Sequence, residues 1–149
     1  MIDPASLPGR PCAVAAALEL VGERWALLAV REISFGNHRF NQIARNTGAP
    51  RDRLAARLKA LVEAGVLVRE DGYHLTQAGR ELSPVLWALL DWGSKWAVAQ
   101  PTIRLRHHHD HDLRPRSVCT ECGEEVGPGE ITPVSTVEGW GLAGPGETS

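Results

Sequence analysis

The sequence predicts a mainly α fold with one small β-hairpin, and three observations predict it. Leu54, Leu58, Leu61 and Val62 recur at i, i+4, i+7 and i+8, the stripe of an amphipathic helix facing a core. Val66-Leu67-Val68 and Tyr73–Leu75 flank Asp71-Gly72, the pattern of two short strands joined by a tight turn. Beyond Thr76 an apolar helical pattern runs to about Ala99, interrupted by Pro84. At 149 residues and 43% hydrophobic composition, the chain has room for one compact domain with a real core, plus a tail.

The elements follow in order. After an N-terminal arm over 1–11, Pro11 opens a first helix over Cys12–Val21, where proline is favoured because its missing N–H costs nothing. Gly22 interrupts. Arg24–Ile33 resumes, with Trp25, Leu28, Ala29 and Glu32 at helical spacing. Gly36-Asn37 marks a turn, and Phe40–Asn46 is a short helix with Phe40, Ile43, Ala44 and Thr47 on one side. Gly48 suits the left-handed residue that ends it. Arg51–Ala64 is the leucine-striped helix; Asp52, Ala56, Lys59 and Glu63 lie opposite the stripe, and Arg53 and Arg57 flank them. Gly65 stops it, the hairpin follows, and Thr76 caps the next helical run.

In that last run, Pro84 either kinks one helix or separates two. Leu82, Val85, Leu86, Leu89, Leu90, Trp92, Gly93, Trp96 and Ala97 cover nearly half its circumference. So wide an apolar face exceeds what a small core can bury, and a second copy of the chain is the simplest cover, with Leu82, Leu86, Leu89, Gly93 and Trp96 at the interface. A helix folded back on its own domain is the alternative. The domain is expected over 12–100, a Cys/His extension over 101–134, and a disordered tail over 135–149 that nevertheless carries Trp140.

The net charge of −2 argues by itself against a nucleic-acid partner, but its distribution reverses that impression. Residues 37–69 hold seven basic side chains (Arg39, Arg45, Arg51, Arg53, Arg57, Lys59, Arg69) against Asp52 and Glu63. Residues 107–149 hold eight acidic side chains against Arg114 and Arg116. Such asymmetry leaves a positive patch for a polyanion on a nearly neutral protein, or else a solvated charged helix face. No segment is long and apolar enough to span a bilayer, no secretory signal opens the chain, and three cysteines do not make a disulfide scaffold. The expected location is the cytoplasm, with no membrane partner.

Helix, short helix, glycine turn, amphipathic helix, strand, turn, strand is the plan of a winged helix-turn-helix. Its second helix is narrow enough for the DNA major groove, and its leucine stripe fixes the angle of presentation. Arg51, Arg53 and Arg57 then face phosphates or base edges, with Lys59 adding charge. His38 and His74 lie near the same surface.

Residues Cys12 through Trp96 also resemble the HxlR-type winged-helix regulators. The resemblance rests on Cys12-Ala-Val, Leu18-Glu-Leu-Val-Gly-Glu-Arg-Trp25, Leu27-Leu-Ala-Val-Arg-Glu-Ile33 and Arg39-Phe40-Asn-Gln-Ile43. It continues through Leu54-Ala-Ala-Arg-Leu58, Leu61-Val-Glu-Ala-Gly-Val-Leu67, Tyr73-His-Leu-Thr-Gln-Ala-Gly79 and Leu86–Trp96. The resemblance implies a cytoplasmic homodimeric transcription regulator, a repressor before an activator, on a roughly palindromic operator in double-stranded DNA. It also implies that Arg39 and the wing, through Arg69 and His74, grip the backbone. Two departures stand out: the wing is nearly minimal, and Ala49-Pro50 stands where the family often has a hydroxyl N-cap.

Cys12 opens the first helix beside Arg10, where exposed N–H groups favour a thiolate, and some HxlR-type regulators sense oxidants or electrophiles at this place. The plain alternative is an inert small apolar residue. Cys119-x-x-Cys122-Gly123 resembles one knuckle of a zinc ribbon, whose remaining ligands must come from the 107–111 histidines, His109 and His111 foremost, or from a second chain. A redox dithiol and a plain hairpin are the other two readings. Structural zinc and an unidentified small-molecule or redox effector are therefore the candidate ligands. No nucleotide-binding loop, nucleophile elbow or His-Glu-x-x-His site is present, so the chain is not expected to be an enzyme. A winged-helix protein adaptor, or less readily a zinc-dependent enzyme, is the alternative function.

Overall fold

Helix α2, Arg24–Ser34, is the centre of the N-terminal half of the computed structural model, which describes residues 1–108 and 110–146. Sequence spacing places one buried face on this helix; the structure gives it two. Ala29 and Glu32 are buried as expected, but so are Ala26, Val30 and Ile33. The reason is position, since α1 (Ala13–Val21), α3 (Phe40–Thr47), α4 (Arg51–Glu63) and the β-hairpin all pack against α2. A stripe is a signature of a helix with one wet side, and α2 is covered nearly all round.

Helix α1 starts one residue later than expected because Cys12 is its N-cap: Val14 N–H donates to Cys12 Sγ at 3.3 Å. Gly48 ends α3 at φ +74, as its place in the sequence predicts. Helix α4 buries Leu54, Leu58 and Leu61 essentially completely, each contributing roughly 2 kcal/mol of apolar burial. Its cap is Pro50, with no side chain satisfying the first N–H groups. Strands β1 (Leu67–Arg69) and β2 (Tyr73–Leu75) pair antiparallel with Leu67 opposite Leu75 and Arg69 opposite Tyr73. Glu70, Asp71 and Gly72 make a three-residue corner, with Asp71 and Gly72 at φ +48 and +102 in the left-handed region that such a turn uses. Thr76 caps α5 (Gln77–Arg80) by accepting Gly79 N–H. Pro84 separates α5 from α6 (Ser83–Trp96) rather than kinking one helix.

The chain divides into two compact units, Met1–Leu86 and Trp87–Ser149, with the division inside α6. In the second unit β3 (Arg106–His107) pairs antiparallel with β4 (His111–Asp112). A separate bridge joins Val118 to Glu125. Within the expected tail, Trp140 N–H bonds to Val137 O and Gly146 N–H to Gly139 O, closing a turn around the tryptophan. His109 and residues 147–149 lie outside the described residues.

Candidate nucleic-acid interface

Helix α4 meets solvent along the face opposite its leucines. Asp52, Arg53, Ala55, Ala56 and Lys59 are exposed there, and Arg57 is half-buried at the flank. Among the described residues no hydrogen bond or ion pair engages the side chains of Arg53, Arg57 or Lys59. Three cations on one helix that pair with neither Asp52 nor Glu63 make this face attractive to a polyanion. Arg51 differs. Its Nη2 donates to Asn41 Oδ1 at 2.9 Å, and its guanidinium lies 4.8 Å from the Phe40 ring centroid. It is a prepositioned cation, held by α3 at the turn into α4.

The wing is tied to the segment entering α3. Tyr73 N–H donates to His38 O at 2.8 Å, and His38 Nδ1 donates to Tyr73 O at 2.8 Å. The His38 and His74 rings stack at 4.3 Å. A side chain at Gly72 would place its Cβ 2.8 Å from His38 O, so only glycine lets the turn lie this close. At the tip, Arg39 Nη1 donates to Asp71 Oδ1 at 2.9 Å across an exposed surface. That hydrogen bond, with the charge of Arg39, holds the Asp71 carboxyl below the usual carboxylate range. Arg39 therefore already has an anionic partner. Arg69 lies over the Tyr73 ring with its centroid 5.4 Å away.

The structure thus brings Arg51, Arg53, Arg57 and Lys59 together on and beside α4, and His38, Arg39, Arg69 and His74 around the wing. Sequence reasoning missed what supports them. Glu32 is buried at 5% exposure; its Oε1 accepts from Arg31 Nε at 3.0 Å, and its Oε2 accepts from Asn37 Nδ2 at 2.9 Å and Asn46 Nδ2 at 3.0 Å. One carboxylate joins α2, the turn before α3 and the end of α3. A charged residue on an apolar helix face was the available signal.

Elsewhere, Leu82 and Leu86 pack against the core of the first unit, whereas Leu89 is 53% and Trp96 67% exposed. Gly93 has open space where a Cβ would sit. Cys119, Cys122 and His111 lie in the second unit, and the His107, His108 and His111 rings cluster within 6.4 Å of one another. Among the described residues, no three or more His, Cys, Asp or Glu side chains converge in a way that could hold a metal ion. No helix among them is long and apolar enough to cross a membrane.

The model of the HxlR-like helix-turn-helix family matches residues 20–101. The chain belongs to this family. The HxlR-like match spans α2 through α6, and so the whole helix-turn-helix and wing. The HTH-type transcriptional regulator Rv3095 of Mycobacterium tuberculosis, itself uncharacterized, is 45% identical over 131 residues, covering 80% of this chain and 83% of that protein. A crystal structure of PA1607, described as a candidate transcription factor, superposes with a TM-score of 0.73 at 33% identity, covering 85% of this chain and 95% of that one. The quinone-bound form of YodB from B. subtilis gives a TM-score of 0.51 at 28% identity, covering 57% of this chain and 99% of that one. The fold is therefore the winged helix of an HxlR-like transcriptional regulator, mainly helical with a two-stranded hairpin.

Proposed function

We propose that this HxlR-like regulator binds double-stranded DNA with α4 in the major groove, acts as a homodimer on a roughly palindromic operator, and represses transcription. The observation that carries this reading is the set of unpartnered cations, Arg53, Arg57 and Lys59, on and beside the solvent face of the leucine-striped helix α4. Ala55 and Ala56 between them are small, which lets the helix approach the groove floor and leaves apolar contact for thymine methyl groups. Arg51, Arg69 and the wing histidines grip the backbone on either side, with Arg39 beside them held by Asp71. A cytoplasmic location goes with this reading. The quinone-bound state of the similar YodB supports a small electrophile as effector class, with Cys12 the candidate thiol.

The test is capture of genomic fragments by the intact protein, followed by fluorescence anisotropy on the enriched site across a potassium chloride series. Several phosphate contacts should give a log–log slope near −0.9 per contact. No enriched site, or an affinity insensitive to salt, sinks the proposal in favour of a protein adaptor.

The Arg39–Asp71 pair yields a second expectation. Asp71→Asn releases Arg39 to a phosphate and removes a nearby negative charge, so affinity should rise about three- to tenfold with a salt slope steeper by about one contact. Unchanged affinity and slope would mean that the wing tip stays clear of DNA. Because the folded carboxyl titrates below its unfolded value, any stability from this pair is present above the unfolded value and disappears as pH falls through the folded one. The loss is therefore confined to strongly acid solution, below roughly pH 4.

The homodimer rests on α6. Val85, Leu89, Trp92 and Trp96 fall at i, i+4, i+7 and i+11, and all four are exposed. Helix α1 adds exposed Val14 and Leu18 at i and i+4. Light scattering should report a dimer for the unmodified protein and a monomer for Leu89→Glu, because a charge buried at the centre of such a face has no partner. A dimer that survives the substitution would move the interface elsewhere.

A further inference from the structure

Helix α6 carries a second stripe besides its exposed apolar one. Trp87, Leu90, Asp91 and Ser94 fall at i, i+3, i+4 and i+7, and all four line a cavity of about 270 Å³ inside the second unit. The extension supplies the rest of the lining. There Leu113 N–H donates to Leu105 O at 2.6 Å and prolongs the β3–β4 ladder, and Ile103, Leu105 and Leu113 all line the same cavity. Trp87, Leu90, Leu105 and Leu113 are half-buried, so they leave an open apolar hollow where a finished core would be closed. At about 270 Å³ the hollow falls just below the roughly 300–1,000 Å³ of sites for drug-sized molecules, which suits a smaller ligand.

Four charged residues complete the lining, and they do not all pair off. Arg104 Nη1 meets Asp112 Oδ2 at 3.5 Å, and Arg106, outside the cavity, brings its Nε to 3.9 Å from Asp112 Oδ1. Asp91 and Arg114 are left. Both are exposed, and among the described residues no hydrogen bond or ion pair engages either side chain. One unpaired carboxylate and one unpaired guanidinium therefore stand beside an apolar hollow. They complement a molecule that carries an ammonium, a carboxylate and an apolar group together. A ligand with a carboxylate alone would bring its charge near Asp91 unanswered, and one with an amine alone would do the same near Arg114.

We infer that this cavity binds a free α-amino acid with an apolar side chain about the size of phenylalanine. Its carboxylate pairs with the Arg114 guanidinium, whose planar fork matches two oxygens at once. Its ammonium pairs with Asp91, and its side chain lies in the hollow lined by Trp87, Leu90 and Leu113. Val85, Leu89, Trp92 and Trp96 stay uncovered, so the site leaves the exposed stripe of α6 available to a second copy. Such binding needs nothing from α4 and stands whether or not the protein binds DNA.

Isothermal titration calorimetry of the full chain with L-phenylalanine tests the site. Two analogues accompany it: 3-phenylpropionate, which lacks the ammonium, and phenethylamine, which lacks the carboxylate. Phenylalanine should bind saturably at one molecule per chain, and each analogue at least about tenfold more weakly. Arg114→Ala should weaken phenylalanine about tenfold and leave phenethylamine unchanged. Asp91→Asn should weaken phenylalanine by a similar factor and spare 3-phenylpropionate. Lost folding would weaken every ligand alike, so this split separates contact with the ligand from damage to the protein, and circular dichroism checks each variant. The inference is overturned if phenylalanine does not bind at millimolar concentration or if either analogue matches it. It is equally overturned if either substitution, in folded protein, leaves phenylalanine affinity unchanged or weakens all three ligands together.

Discussion

Replacing Arg53 and Arg57 together by alanine should abolish operator binding and leave the dimer intact. Both side chains project from α4 beside its solvent face without any intramolecular partner, so removing them breaks nothing inside the protein. Each such contact is worth about 1–3 kcal/mol to a base edge, or about one unit of salt slope to a phosphate. Lost together, they should weaken binding by at least about 30-fold. The two roles separate in the data. If an arginine reads a base, its single variant loses discrimination between operator and mismatched sites; if it neutralises phosphate, affinity falls on every sequence alike. Anisotropy on operator and scrambled duplexes gives both readouts, and light scattering checks the dimer. Undiminished operator affinity would show that α4 is not the reading helix.

Glu32→Ala should be among the most damaging single substitutions in the first unit. The carboxylate is nearly inaccessible and receives hydrogen bonds from Arg31, Asn37 and Asn46. Truncation removes the shared acceptor of two amide donors and one guanidinium and leaves a hole at a buried position. Losing such a network costs about 3 kcal/mol, with a range of about 2–5. For a unit the size of Met1–Leu86 that corresponds to roughly 12–24 °C in Tm. Glu32→Gln keeps one acceptor oxygen but turns an amide nitrogen toward a donor, so it should fall between the two. Thermal unfolding followed by circular dichroism ranks the three proteins, and equal Tm values would show that the network is ornamental. Since Asn37 and Asn46 bracket α3, DNA affinity should decline along with stability.

The parts of this fold that were legible share one property: they are visible within a few residues of sequence. The leucines of α4 repeat over eight positions, Gly48 and Asp71-Gly72 announce their turns locally, and the hairpin strands flank a three-residue corner. Contacts across the chain were invisible. Arg39 and Asp71 are 32 residues apart, and His38 and Tyr73 are 35 apart. Neither pattern nor propensity encodes a partner at that distance, so Arg39 reads from sequence as a free cation when the structure pairs it. Arg51 reads like Arg53, yet Asn41 and Phe40 hold it. The second buried face of α2 was hidden because a helix covered on all sides loses the polar stripe that reveals orientation. Trp140 was the one warning that the acidic, glycine-rich end holds local structure.

The contact between the wing turn and the entrance to α3 bears on how such a protein can change over time. Gly36 and Gly48 also have positive φ, but open space surrounds them, and a small residue tolerant of that conformation can drift in. Gly72 is hemmed in by a carbonyl oxygen and admits no such drift. Selection acting on it preserves the shape of a surface it never lines. A lineage acquiring a new target sequence can exchange the side chains of α4 one at a time, but it inherits the short wing as a single fixed piece.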